Sequence, residues 1–274
     1  MATLSDIPGR VLLVGAGKMG GAMLEGWLGL GLDPAQVAVI DPGPPPEMTA
    51  LLERHGIALN PLNGGPPAVM LLAVKPQVAP DVLAKVAPLA GPQTLVVSVM
   101  AGRTLGFLEA AFPTGTAVVR SIPNTPAAIG RGVTVAVPNA AVTPGQLSIA
   151  DGLLRATGGV EWVGDEDLID VATAVSGSGP AYVFLLAEAL AEAGARAGLP
   201  ADLADRLARQ TVSGAGELIA RSGIDPAQLR RNVTSPNGTT AAALSVLMDE
   251  ARGFGPLLVE AVAAAARRSR ELAG

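Results

Sequence analysis

Between residues 10 and 122 the chain alternates short apolar runs with longer stretches whose apolar positions recur every three or four residues. The runs at 10–14, 37–40, 69–74, 95–99 and 117–122 are rich in Val, Leu and Ile and stop at Gly, Pro or small polar residues, which predicts strands. Helical period marks the stretches at 47–55, 78–86 and 105–112, and one that opens at Met23, Leu24, Trp27 and Leu28. Two further strands are expected at 133–137 and 161–163, with a helix at 145–156 between them. Repeated strand–helix units predict a parallel sheet with helices on both faces. Past Gly164 no strand pattern recurs, and helical segments are punctuated at Ser176-Gly-Ser-Gly-Pro180, Gly198-Leu-Pro200, Ser222-Gly223 and Asn232 to Thr240. The expectation is an α/β domain over residues 1–164 and an all-helical domain over 165–274.

The first strand runs into Gly15-Ala-Gly17-Lys-Met-Gly20 and then a helix. In that setting the first glycine makes the turn, the second lets backbone approach a pyrophosphate, and the third lets helix pack on strand. Asp41 follows the second strand about twenty residues after Gly20, the position expected to meet an adenine ribose, so the first domain reads as a Rossmann-type dinucleotide site. The loop Pro42-Gly-Pro-Pro-Pro46 offers no basic residue for a 2′-phosphate, so the cofactor, NADPH or NADH, leans to NADH. Ligands of such sheets lie at the carboxyl ends of the strands, where the loops holding Ala73 to Pro76, Ser98 to Gly102 and Ser121 to Pro126 emerge. Lys75 there reads as a base, a cofactor contact or a solvated lysine before a proline. Asn124, between Pro123 and Pro126, reads as an amide at the mouth of the sheet or a self-bonded turn.

Composition removes several classes. A formal charge of −5 gives no basic field for nucleic acid. Cys is absent and His55 is the only histidine, which excludes thiolate chemistry, disulfides and multi-histidine metal centres. Mean hydropathy is +0.43, yet no uninterrupted run approaches the roughly 20 apolar residues of a membrane span, and no leader pattern opens the chain, so a cytoplasmic protein is expected. The apolar excess falls in segments such as 181–197 and 257–266, which are apolar or small around much of the helix, more than one buried face requires. A second copy of the chain would cover the rest, making a homodimer.

The nine residues Asn232-Val-Thr-Ser-Pro-Asn-Gly-Thr-Thr240 form a polar turn between helical segments. Pro236 biases Ser235 to extended backbone, Asn237-Gly238 offers a tight turn, and Thr239 and Thr240 fall at a helix N-terminus suited to an anion. Taken with Gly15 to Gly20, Ala73-Val-Lys-Pro76, Pro123-Asn-Thr-Pro126, Glu166-Asp-Leu-Ile-Asp170 and Ser176-Gly-Ser-Gly-Pro-Ala-Tyr182, it makes the chain closely resemble the pyrroline-5-carboxylate reductase family from end to end. That resemblance implies cofactor contacts at Val14, Gly15, Ala16, Gly17, Lys18, Met19, Gly20, Asp41, Asn63, Ala73, Val74, Lys75, Pro76, Val99, Met100, Ala101 and Asn232. It implies substrate contacts at Glu166, Gly238, Thr239 and Thr240, and no metal. It also implies an active site completed by the partner's helical domain, in dimers that often assemble into rings. Members often carry a small hydroxyl residue where this chain has Asp41.

The implied reaction is hydride addition to the carbon of a cyclic imine bearing a carboxylate, giving proline in the last step of its biosynthesis. Backbone N–H groups from Gly238 to Thr240 suit the carboxylate, and the Thr240 hydroxyl suits the imine nitrogen as the catalytic contact. A β-hydroxyacid dehydrogenase would need a lysine in the helical domain, whereas Lys18, Lys75 and Lys85 all precede it. A dinucleotide-binding sensor without turnover is the non-enzymatic reading.

Overall fold

Alternation of apolar residues sorts the strands of the first half onto two buried faces. In the computed structural model, which describes residue 4 and residues 7–61 and 64–273, eight strands form one sheet. They are β1 (Val11–Val14), β2 (Val37–Ile40), β3 (Ala58–Leu59), β4 (Val69–Leu72), β5 (Leu95–Ser98), β6 (Ala117–Ile122), β7 (Gly132–Pro138) and β8 (Gly158–Trp162), in the order β3-β2-β1-β4-β5-β6-β7-β8. Val11 and Leu13 point to α1 (Lys18–Gly29), α2 (Pro46–His55) and α5 (Pro144–Arg155), packing with Met23, Leu24, Trp27, Leu52 and Leu153. Leu12 and Val14 point the other way, to Leu83 of α3 (Ala79–Val86) and Leu108 of α4 (Leu105–Ala111). A strand buried on both faces reads as a continuous apolar run, which is why the pattern was legible.

The structure departs from the wholly parallel sheet expected of repeated units at one junction. β6 and β7 pair antiparallel, with Ser121 opposite Ala136, and every other pair is parallel. Only the short 3-10 turn Thr125–Ile129 joins them, too short for the crossover a parallel pair needs. β8 begins three residues before its expected start, at Gly158, whose φ of +142° and close backbone approach to Gly132 hid it from a pattern of apolar residues. β3, two exposed residues long, carried no apolar signal at all.

By packing, the chain divides into Met1–Gly177 with Ala266–Gly274, and Ser178–Ala265. This differs from the division at 164 and 165 expected from texture. Helix α6 (Leu168–Ala172) belongs with the sheet, because Ile169 is buried among Ile122, Val135 and Val137. A π-helical turn, Thr173–Gly177, follows it.

The second unit contains α7 (Gly179–Arg196), α8 (Ala201–Ser222), α9 (Pro226–Asn232), α10 (Thr239–Leu247) and most of α11 (Phe254–Ala273). Gly194 lets α7 approach α8 closely, since a Cβ there would sit 3.3 Å from Leu199 and 3.4 Å from Ala204. Neither α7 nor α10 buries a single residue within one chain, and Phe184, Leu185, Val246 and Val259 are all more than half exposed. The stretch Leu168–Arg196 is long and apolar enough to cross a membrane by length and composition, which a count of uninterrupted apolar residues does not reveal.

Candidate active site

The turn after β1 is built by glycines that nothing else could replace. Gly15 has φ +92°, and a Cβ there would lie 2.8 Å from the Ala73 carbonyl oxygen; at Gly20 it would lie 2.0 Å from the Gly15 carbonyl oxygen. Gly17 is different: it forms the extended N-cap of α1, and a Cβ on it would meet nothing within 4 Å. The space before the helix is therefore open. The first N–H groups of a helix lack intrahelical acceptors, and α1 has neither a side-chain cap nor an acidic residue in its first turn. With Lys18 exposed beside them, these donors fit a pyrophosphate.

Asp41, at the end of β2, ties this turn to its own loop. Its Oδ2 accepts from the Ala16 N–H at 2.7 Å and its Oδ1 from the Gly43 N–H at 2.8 Å. Asn60, in the left-handed region at φ +49°, holds the Asp41 backbone with both ends of its amide, accepting from N–H at 2.9 Å and donating to the carbonyl at 2.7 Å. Sequence reading missed Asn60, because a lone Asn-Pro after a two-residue strand looks like any turn.

Ala73, Val74, Lys75 and Pro76 leave β4, and Val99, Met100 and Ala101 leave β5, beside the point where the strand order reverses at β1. The Val14 and Met100 side chains are buried in the core, so only their backbones are available to a ligand. Met19 is half-buried against the core around α1, whereas Lys75 and Ala101 are exposed. Asn63 lies outside the described residues. Asn124 is not a self-bonded turn: its Nδ2 donates to the Ser176 carbonyl at 3.0 Å and its Oδ1 accepts from the Val133 N–H at 2.9 Å.

Arg120, also missed, stands in the middle of β6 at 1 % exposure. Its Nη1 donates to Glu166 Oε1 at 2.6 Å, and its Nη2 lies 4.0 Å from Asp170 Oδ1, while Nε and Nη2 have no hydrogen-bond partner. Glu166 Oε1 also accepts from the Leu105 N–H at 2.7 Å, and Asp170 Oδ1 accepts from Ser269 Oγ at 2.6 Å. Glu166 is thus no ordinary surface carboxylate. An arginine inside an otherwise apolar run was the available signal, since such a charge demands a partner.

In the second unit, Asn232 ends α9 and accepts from Gln228 Nε2 at 2.7 Å. Asn237 takes φ +60° and Gly238 donates to the Ser235 carbonyl, closing the expected turn. Gly238 is the extended N-cap of α10, with no side-chain cap, so the N–H groups of Thr239 and Thr240 head the helix as free donors. Among the described residues no group of three or more His, Cys, Asp or Glu could hold a metal ion.

An open glycine cradle at the switch point of a doubly wound sheet, with a carboxylate at the end of β2, defines a dinucleotide-dependent oxidoreductase. Residues 166–272 match the family described as pyrroline-5-carboxylate reductase dimerisation, and residues 10–102 the family described as NADP oxidoreductase, coenzyme F420-dependent. The pyrroline-5-carboxylate reductase of Pseudomonas aeruginosa is 41% identical over 269 residues, 96% of this chain and 97% of the relative. A solved pyrroline-5-carboxylate reductase from Coxiella burnetii superposes with a TM-score of 0.88 at 33% identity, covering 97% of this chain and 99% of that one. One from Plasmodium falciparum, solved with NADP bound, gives 0.78 at 27% identity, covering 98% and 99%. The chain belongs to the pyrroline-5-carboxylate reductase family.

Replacing Arg120 by Met keeps the bulk but strands two carboxylates. Breaking a buried pair costs about 3–5 kcal/mol, and because Glu166 keeps 30 % of its side chain exposed the expected loss lies near the lower bound. Urea unfolding measures it, and a loss below about 1 kcal/mol, the level of an exposed pair, would show that the pair does not hold α6.

Proposed function

We propose that this protein reduces 1-pyrroline-5-carboxylate to proline with a reduced nicotinamide dinucleotide, as the last step of proline biosynthesis. The observation that carries the reading is the uncapped N-terminus of α10 behind the Asn237-Gly238 turn, in a chain whose other unit bears a dinucleotide cradle. The backbone N–H groups of Gly17 to Gly20 and the loops 73–76 and 99–101 hold the cofactor, Asp41 faces its adenine ribose, and Asn232 is a further cofactor contact. When bound, the reduced nicotinamide supplies a hydride to the imine carbon.

The N–H donors of Thr239 and Thr240, at the positive end of α10, hold the substrate carboxylate. The Thr240 hydroxyl hydrogen-bonds the ring nitrogen, which takes the electron pair of the C=N bond as the carbon is reduced. If the imine enters protonated, that nitrogen ends as the amine without a strong acid on the protein, and fixed donors supply the catalysis by position and charge. Glu166, already committed through Oε1, borders the substrate with the rest of its carboxylate. The direct test mixes protein, imine and NADH or NADPH and follows the loss of reduced-cofactor absorbance. Dinucleotide binding with no turnover would instead make the protein a sensor.

If Thr240 supports the nitrogen, Thr240→Val is expected to cost about 1.5–3 kcal/mol in transition-state stabilisation, roughly 10- to 100-fold in kcat/KM. An unchanged kcat/KM in a folded variant would sink that role. The Asp41 charge repels a 2′-phosphate, so NADH should compete well. Asp41→Asn keeps an acceptor for the Ala16 N–H while removing the charge, and is expected to raise the NADPH to NADH ratio of kcat/KM by about tenfold, the effect of some 1.4 kcal/mol of repulsion. A ratio that does not move would mean the carboxylate faces away from the ribose.

The same reading makes the protein a cytoplasmic homodimer whose exposed apolar helices meet those of a second copy, completing each site, with dimers free to assemble into rings. Ala189 is exposed within one chain, so Ala189→Glu leaves the packing of that chain alone while placing a charge in the interface. Sedimentation is expected to show a folded 27.4 kDa monomer of low activity; a variant that keeps the dimer mass would count against this interface.

A further inference from the structure

We propose that Arg103 is a positioning residue for the dinucleotide, locking the loop after β4 to the loop after β5. The proposal rests on the cofactor reading given above. Arg103 directly follows the loop 99–102 and precedes Thr104, the N-cap of α4, whose hydroxyl accepts from the Phe107 N–H at 3.1 Å. From there its side chain reaches back across the crevice wall. Nε and Nη2 both donate to the Pro76 carbonyl, at 3.2 and 2.6 Å, so one guanidinium edge grips the backbone of the neighbouring loop. The group is held in that direction by the Phe107 ring, 4.6 Å below it.

Three features make this a device rather than a surface contact. The Pro76 carbonyl also accepts from the Ala79 N–H and so closes the 3-10 turn Pro76–Val78, which means that the arginine grips the residue that shapes the loop. The loop 99–102 is backed on its other side by the end of α11. Gly102 has φ +66°, and a Cβ there would stand 3.3 Å from the Leu272 carbonyl oxygen. That last turn is itself anchored to α6 through Ser269 and Asp170. Finally, β4 and β5 are adjacent strands, so the two loops together form one wall of the crevice at their carboxyl ends.

Neither loop contains regular structure up to Pro76 or Gly102, and each would lose backbone freedom on closing round a ligand. The arginine removes part of that freedom in advance, which raises affinity without touching the reacting atoms. A lysine could supply the charge but not the two-donor fork or the flat stack on Phe107.

The test compares wild type, Arg103→Met and Arg103→Lys by calorimetric titration with oxidised NAD and NADP, alongside steady-state KM and kcat and the thermal midpoint of the unliganded protein. Arg103→Met is expected to raise the Kd about tenfold and the KM for reduced cofactor in parallel, with saturating kcat changed less than about twofold. Arg103→Lys, which keeps the charge but only a single donor nitrogen, is expected to recover part of the lost affinity and not all of it. A Met variant that binds like wild type, or one that loses kcat or thermal stability at unchanged Kd, would overturn the proposal. Wild type that binds neither dinucleotide would overturn the cofactor reading beneath it.

Discussion

A guanidinium carried on β6 with 1 % exposure must be neutralised where it stands, and much of the first unit is arranged to do so. Arg120 is shut off from bulk solvent, and its charge is met by Glu166 at 2.6 Å and Asp170 at 4.0 Å. Both carboxylates lie in or just before α6, which is therefore drawn onto the sheet although its sequence belongs with the helical half. Once there, Glu166 receives the Leu105 N–H at the start of α4, and Asp170 receives Ser269 from the end of α11. Removing one member of such a network leaves the others charged and poorly solvated, which makes it costly to break even where it adds little net stability.

The two places where the chain offers itself to anions share one physical origin. At α1 and at α10 a glycine N-cap with extended backbone leaves the first N–H groups without a side-chain cap. In each case the preceding turn needs a residue with positive φ, Gly15 in one and Asn237 in the other. Three helices behave otherwise: α4, α5 and α9 are capped by Thr104, Thr143 and Asp225, whose oxygens accept the N–H three residues on. Leaving a helix uncapped forgoes about 1 kcal/mol of stability, and the two glycine starts are the ones proposed above to take the cofactor and the substrate carboxylate.

The apolar helices α7 and α10, which bury no residue within their own chain, state a different requirement. The second unit holds α7 to α8 by small residues, yet leaves Phe184, Leu185 and Val259 outside. An apolar side chain left in water forgoes roughly 1.5–3 kcal/mol relative to full burial, so a surface with this many is built to be covered. The match of residues 166–272 to a dimerisation family gives that surface its class.

The sequence by itself determined the strands of the first half, the glycine turn, the change of texture after Gly164 and the polar turn at 232–240. These are local properties: period two or 3.6, glycine where φ is positive, proline where a helix stops. Family membership was legible too, because the motifs specific to it, at 176–182 and 232–240, are contiguous. Tertiary structure alone decided that Arg120 meets Glu166 and Asp170, that Asn60 pins Asp41, that β7 turns antiparallel, and that α6 and the end of α11 pack with the sheet. Each joins residues 19 or more positions apart in the chain, or depends on a connection too short to cross the sheet. The residue types say that a buried charge or a bent backbone needs a partner, but which partner is set by the order in which strands lie side by side, and that order is a property of the whole sheet.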